Sequence, residues 1–274
     1  MARKIVVTSG KGGVGKTTIC ANLGARLATL GFRVAILDVD LGLNNLDVVL
    51  GLENKIAYDL YDVLCGRCRV KQALLQDKRY PLLYILPSIR YDENLKIENE
   101  AIKRIVESID YNFDYILLDC PAGIDQGFKR AVLAANEAIV VVTPHISSLR
   151  DADKVISILN GYKLISKYLV INRARGDLIL NGEMFSIESI VEALKLQILG
   201  VVPDEDEIST LSTVGGLALS TRAGRAFTLL AENLHNGTKK VFDCTNKYRG
   251  FFGNLKRNLR RKVWIEKNNW SRRK

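Results

Sequence analysis

The chain has 274 residues, 47% apolar and 26% charged, with a net charge of +10 and five cysteines. That length holds one large α/β domain or two small ones, and the composition is that of an ordinary globular protein. No run of 18 or more apolar residues offers a membrane-spanning helix, and five scattered cysteines (Cys20, Cys65, Cys68, Cys120, Cys244) argue against a disulfide framework.

Met1-Ala2-Arg3-Lys4 runs straight into an apolar, β-branched stretch at residues 5–8. This reads as a buried strand, leaves no room for a signal or transit peptide, and implies a protein made and used in one compartment. From residue 17 to 30 the positions Ile19, Leu23, Leu27 and Leu30 recur at helical spacing, and Gly31 closes the helix. A second strand at 33–37 ends in Asp38-Val39-Asp40. Further short apolar runs at 82–86, 115–118, 138–143, 168–171 and 198–202 predict strands. Helical patterns lie near 98–109, 126–135, 147–161, 186–194 and 221–235. Alternating β and α units of this length predict a doubly wound α/β fold, a mainly parallel sheet with helices on both faces. Asn236-Gly237-Thr238 is the one clear composition break, dividing a domain at 1–237 from a tail at 238–274.

Between the first strand and first helix, Gly10-Lys11-Gly12-Gly13-Val14-Gly15-Lys16-Thr17 fits G-x-x-x-x-G-K-[ST]. Glycines let successive backbone N–H groups turn inward around phosphates, and the following helix offers its positive end. In such a loop Lys16 reaches the β- and γ-phosphates and the Thr17 hydroxyl ligates Mg²⁺. Gly10, Gly12 and Gly15 also match the dinucleotide fingerprint, with Asp38 at about the expected distance. That fingerprint has no use for Lys16-Thr17, nor for a second apolar strand ending in Asp119 before Pro121-Ala122-Gly123. A strand-terminal carboxylate beside a phosphate loop is what a Mg²⁺-bound water needs, so the pattern favours a nucleoside triphosphate with Mg²⁺. Cys65-Gly66-Arg67-Cys68 has redox or zinc spacing, but His145 and His235 are not placed to complete a site, and two reduced thiols near a turn are expected.

The positive charge is concentrated. Residues 239–274 carry thirteen Lys and Arg against Asp243 and Glu266, a net +11, leaving −1 for the rest of the chain. Projected at about 100° per residue, Tyr248, Phe251, Phe252, Leu255, Leu259 and Val263 share an arc of about 120°. Arg249, Lys256, Arg257, Arg260 and Arg261 lie opposite. This is the pattern of an amphipathic helix that lies in a headgroup layer, with Phe251, Phe252, Leu255, Leu259 and Val263 as its membrane face. A nucleic-acid-binding arm gains nothing from that stripe. One such tail binds weakly, and two presented by a dimer bind far better.

The run from Ser9 through Gly10, Lys11, Gly12, Gly13, Val14, Gly15, Lys16 and Thr17 to Thr18 resembles the deviant Walker A motif of the MinD/ParA class of ATPases. Residues 38–47 and 119–123 look like the two switch segments of that class, and the resemblance covers most of residues 1–235. It implies an ATP-hydrolysing P-loop enzyme that forms an ATP-dependent homodimer. Lys11 would reach the partner's nucleotide, Asp40 would position the attacking water, and Asp38 and Asp119 would sit by Mg²⁺. Asn172 and Pro203 would contact adenine, with Gly10 to Thr18 holding the phosphates. Arg150, Asp151 and Asp153 would receive an activating partner of the MinE type. The expected role is placement of a cell or plastid septum, with division-machinery partners, by a peripheral membrane protein in the bacterial cytoplasm or plastid stroma. The rival readings are a ParA-like partitioning ATPase bound to DNA, and an electron-transfer iron protein needing two cysteines per subunit at a dimer axis.

Overall fold

The computed structural model describes residues 1–41, 46–88, 97–250, 253 and 257. In chain order the elements are β1 (Arg3–Thr8), α1 (Lys16–Thr29), β2 (Val34–Asp38), α2 (Leu46–Leu50), α3 (Leu60–Leu64), α4 (Val70–Ala73), β3 (Leu75–Gln76) and β4 (Leu83–Leu86). There follow α5 (Ala101–Ile109), β5 (Tyr115–Asp119), α6 (Gln126–Leu133), β6 (Glu137–Val142), α7 (Ile146–Leu159) and β7 (Ser166–Ala174). The last are α8 (Gly176–Leu180), α9 (Ile187–Leu194), β8 (Gln197–Pro203), α10 (Asp206–Thr213) and α11 (Gly224–Asn236).

Eight strands form one sheet in the order β3-β4-β2-β5-β1-β6-β7-β8. All pairings are parallel except β3 with β4. The inner strands read as continuous apolar runs because both of their faces are covered. Along β1, Ile5 and Val7 join Ile19, Leu23 and Leu27 of α1 and Phe227 and Leu230 of α11 in one core. Val6 joins the opposite core, built on Ile105 of α5, Phe128 of α6, Val155 of α7 and Ile190 of α9. The expected doubly wound sheet with helices on both faces is thus the observed fold. The expected helices at 17–30, 98–109, 126–135, 147–161, 186–194 and 221–235 correspond to α1, α5, α6, α7, α9 and α11.

The differences lie in short pieces. β3 is two residues long, and α2, α3, α4 and α8 are four or five. None is long enough for a periodic pattern to register. β7 runs three residues further than expected, through Asn172 and Arg173, where its register against β8 shifts. The chain also stays on the body beyond the composition break. After α11 ends at Gly237, with φ +68°, Asn233 holds the returning segment by donating from Nδ2 to the carbonyls of Leu199 and Lys240. Cys244 and Tyr248 are then buried, and Lys247 pairs with Glu205. The expected membrane-facing residues Phe251, Phe252, Leu255, Leu259 and Val263 lie outside the described residues.

In an open α/β sheet, ligands bind beyond the carboxyl ends of the strands where the strand order reverses. Here β1 sits between β5 and β6, and the reversal falls at its end. Thr8, Asp38 and Asp119 close the three strands that meet there.

Candidate functional site

The loop at 9–15 leaves β1 and enters α1 through two left-handed glycines, Gly13 at φ +74° and Gly15 at φ +94°. Other residues adopt that conformation only with strain. Space is restrictive as well: a Cβ on Gly15 would stand 2.4 Å from Asn172 Nδ2, and one on Gly10 would stand 2.3 Å from the Asp151 carbonyl. The loop is therefore wedged between β7 and α7. Its shape is held by backbone contacts, the Ser9 hydroxyl donating to the Lys11 carbonyl at 2.8 Å and Asn172 Nδ2 to the Val14 carbonyl at 2.8 Å. Among the described residues α1 has no side-chain cap and no acid in its first turn. The orphan N–H groups and the positive end of its dipole are left to an incoming anion.

A cleft of about 480 Å³ opens over this helix end. It is lined by Gly12, Gly13, Gly15, Lys16, Thr17 and Thr18, by the strand-end residues Asp40 and Asp119, and by Val48 and Val49 of α2. Cys120, Pro121, Ala122 and Arg173 complete it. A second cavity of about 220 Å³ shares Gly15, Thr18 and Arg173 and continues past Asn172, Pro203 and Glu205 to Ile208 and Ser212 of α10. One hollow is polar and glycine-walled, and its continuation lies between β7, β8 and α10. A nucleotide needs that pair: one compartment for phosphates and one for the nucleoside.

Gly10, Lys11, Val14 and Asp38 stand outside both cavities. Lys11 is exposed and Val14 is buried. Asp38, 1% exposed, lies behind the cleft, pairs in register with Asp119, and accepts a hydrogen bond from the Asp40 amide at 3.1 Å. Arg150, Asp151 and Asp153 lie on α7. Arg150 and Asp153 are exposed, whereas Asp151 is half-buried under Gly10 and pairs with Lys154 at 3.5 Å. Cys65 is exposed and Cys68 half-buried, both as free thiols.

The carboxylates carry the electrostatic signature. Burial pushes Asp119 up to about 6, against a hydrogen bond from Thr17 and the charge of Lys16. Burial likewise raises Asp38, reinforced by the charge of Asp119. Asp119 Oδ1 is buried with no hydrogen-bond partner among the described residues. A buried acceptor left open at the edge of a phosphate cleft calls for a cation or its water. The nearby donors are hard oxygens, those of Asp119 and Thr17, which suit Mg²⁺. Among the described residues no group of three or more His, Cys, Asp or Glu is arranged to hold a metal. Mg²⁺ fits here as the companion of a nucleotide, sharing its phosphates.

Sequence reasoning missed Arg79. Its guanidinium donates to the carbonyls of Leu50 and Gly215, both at 2.6 Å, while it pairs with the buried Asp77 carboxylate at 2.6 Å. Arg79 thereby ties α2, whose Val48 and Val49 wall the phosphate cleft, to the loop that follows α10, the helix whose Ile208 and Ser212 wall the other cavity. Backbone packing backs this clamp, since a Cβ on Gly215 would meet the Gly51 Cα at 2.4 Å. Nothing in the local sequence marks this arginine, because its partners are 29 and 136 residues away. Arg79→Met is expected to cost about 2–3 kcal/mol of stability, the loss of hydrogen bonds to a buried charge. It should also weaken nucleotide binding severalfold, as thermal melts and calorimetric titration will read.

The model of the AAA domain family matches residues 2–171. The septum site-determining protein MinD of Bacillus subtilis is 51% identical over 217 residues, 78% of this chain and 81% of its own length. A MinD homologue of Guillardia theta is 44% identical over 264 residues, 94% of this chain and 97% of its own. Among solved structures, the MinC:MinD cell division protein complex of Aquifex aeolicus aligns with a TM-score of 0.81 at 41% identity, covering 88% of this chain and 98% of that one. MinD from Pyrococcus horikoshii, complexed with Mg-ADP, aligns with a TM-score of 0.77 at 31% identity, covering 86% and 96%.

Proposed function

Because the chain belongs to the MinD family of septum site-determining proteins, we propose that it is an ATPase that dimerises on ATP, binds the membrane in that form and helps place the division site. The observation that carries this reading is the buried Asp119 carboxylate, one oxygen unpartnered, beneath a glycine loop whose helix end has no anionic cap.

In this reading residues 10–18 bind the phosphates through backbone N–H groups, and Lys16 neutralises them. Thr17 and Asp119 would hold Mg²⁺ from the cleft wall, and Asp38, behind them, would act through water. When bound, the ion would supply charge neutralisation to the phosphates. Asp40, on the cleft wall, orients the attacking water. Asn172 braces the loop through Val14 and, with Pro203, bounds the adenine compartment. Lys11 serves the partner's nucleotide: its exposed side chain lines neither compartment of its own site, and a second cation offsets charge as the phosphoryl group transfers.

Arg150, Asp151 and Asp153 form the docking patch for an activator of the MinE type. Two of them are exposed, and the third lies against Gly10, so a partner there touches the phosphate loop's support. A division regulator is a second partner, by analogy with the MinC:MinD complex of Aquifex aeolicus. The ATPase domain, taken from the sequence as 1–237, carries the returning segment to Tyr248 with it, and the basic remainder is the membrane anchor. Peripheral attachment follows, in a bacterial cytoplasm or a plastid stroma.

Light scattering in Mg²⁺-ATP and Mg²⁺-ADP, with phosphate release followed in parallel, tests the motor. A dimer only in ATP, with release of phosphate, supports it. A monomer in both nucleotides with no phosphate released would overturn it.

A further inference from the structure

A groove of about 700 Å³ lies at the β8 edge of the sheet, beside the start of that strand and away from Pro203 at its nucleotide end. Its floor is apolar, formed by Ile179, Ile187, Val191, Ile198, Val241 and Phe242. Its rim is acidic: Glu188 and Glu192 project from α9, and Asp243 closes the far side. Arg249 is its one lining cation among the described residues, and it already faces Asp243 at 3.7 Å. An apolar trough edged by carboxylates suits an occupant with an apolar stripe flanked by cations.

The chain itself delivers one. Tyr248, 1% exposed, pins the returning segment to the body, and the next residue, Arg249, lines the groove. Gly253 is buried against Tyr248, where a Cβ would stand 2.4 Å from the Tyr248 carbonyl carbon, and Arg257 is half-buried. The tail's root is thus at the mouth of the groove. In the sequence beyond it, projection at helical spacing sets Phe251, Phe252, Leu255, Leu259 and Val263 apart from Lys256, Arg257, Arg260 and Arg261.

We propose that this groove holds the apolar stripe of the same molecule's tail whenever the tail is not in a membrane, with Glu188, Glu192 and Asp243 facing its cations. Attachment a few residues away makes the effective concentration millimolar, so even a weak contact is well occupied. Only the consequence rests on the membrane reading: docking lowers a single tail's apparent membrane affinity by the fraction undocked. The root is also tied to the nucleotide site, because Lys247 pairs with Glu205 on the wall of the nucleoside cavity.

The test uses the full chain with one tryptophan in the stripe. The only two tryptophans, Trp264 and Trp270, are replaced (Trp264→Phe, Trp270→Phe) and Phe252→Trp is introduced. Acrylamide quenching is read in Mg²⁺-ADP without lipid. Docking predicts a shielded tryptophan whose quenching rises at least threefold with Ile187→Gln/Val191→Gln in the groove, and likewise with Glu188→Gln/Glu192→Gln on the exposed rim. The rim pair guards against a misfolded groove variant. Equal quenching in parent and rim variants overturns the proposal. Shielding that grows with protein concentration also overturns it, since the occupant is then a second copy's tail. Pelleting with anionic vesicles in Mg²⁺-ADP should rise about threefold in the same variants. Shielding lost on mutation with no vesicle binding in any nucleotide state leaves docking standing and removes the anchor reading.

Discussion

Asp119→Asn is expected to raise the melting temperature of the nucleotide-free protein by about 5 °C while cutting ATP hydrolysis about a hundredfold or more. Asp119 is 3% exposed, and burial lifts its carboxyl from 3.8 to about 6. Keeping it ionised at neutral pH therefore costs about 3 kcal/mol of stability, at 1.36 kcal/mol for each unit. Because its folded value is the raised one, its contribution favours folding fully below pH 3.8 and is lost as pH rises through about 6. Nucleotide-free wild type should gain stability between pH 7.5 and 5.5, and the variant should lose that part of the slope. Binding of Mg²⁺-nucleotide, which uses the ionised form, should weaken over the same fall in pH. Scanning calorimetry at the two pH values, with phosphate release, checks both halves. A variant that is both less stable and less active would place Asp119 among ordinary structural carboxylates.

Lys11→Ala is expected to leave ADP affinity within about twofold of wild type and to lower ATP turnover about a thousandfold, the lower end of the effect of a cation supplied from a partner. The reason is geometric. The Lys11 side chain is exposed and lines neither compartment of its own site, while its backbone carbonyl accepts the Ser9 hydroxyl and holds the loop. Replacing the side chain keeps that hydrogen bond, so the loop survives and only the contact proposed with a partner is removed. Calorimetric titration with ADP, light scattering in Mg²⁺-ATP and phosphate release separate the two. Loss of ADP binding together with the dimer would show that Lys11 acts within its own subunit. Lys16→Ala, inside the cleft, should lose nucleotide binding outright.

Residues whose identity is dictated by close approach were legible in the sequence. Gly10 abuts the Asp151 backbone and Gly15 abuts Asn172, and such demands leave glycines at fixed spacing. The paired strand ends Asp38 and Asp119 were legible because buried parallel strands read as apolar runs, and a carboxylate closing one stands out. What stayed hidden depends on partners distant in sequence. Arg79 looks like any surface arginine until its two carbonyl partners come together. The second hydrogen bond of Asn172, to its neighbour's amide at 2.9 Å, together with the bond to Val14, makes it a brace for the loop as well as a pocket wall. The composition break at 236–238 marks the end of α11, not the point where the chain leaves the body, because Cys244 and Tyr248 are buried by elements far upstream.

Co-sedimentation of the full chain with anionic liposomes in Mg²⁺-ATP, in Mg²⁺-ADP and without nucleotide, with duplex DNA as competitor, decides whether ATP governs membrane residence. Pelleting in ATP, little in the other two states, and no displacement by DNA are expected. Equal pelleting in all three states, or release by DNA, would contradict ATP-governed membrane residence.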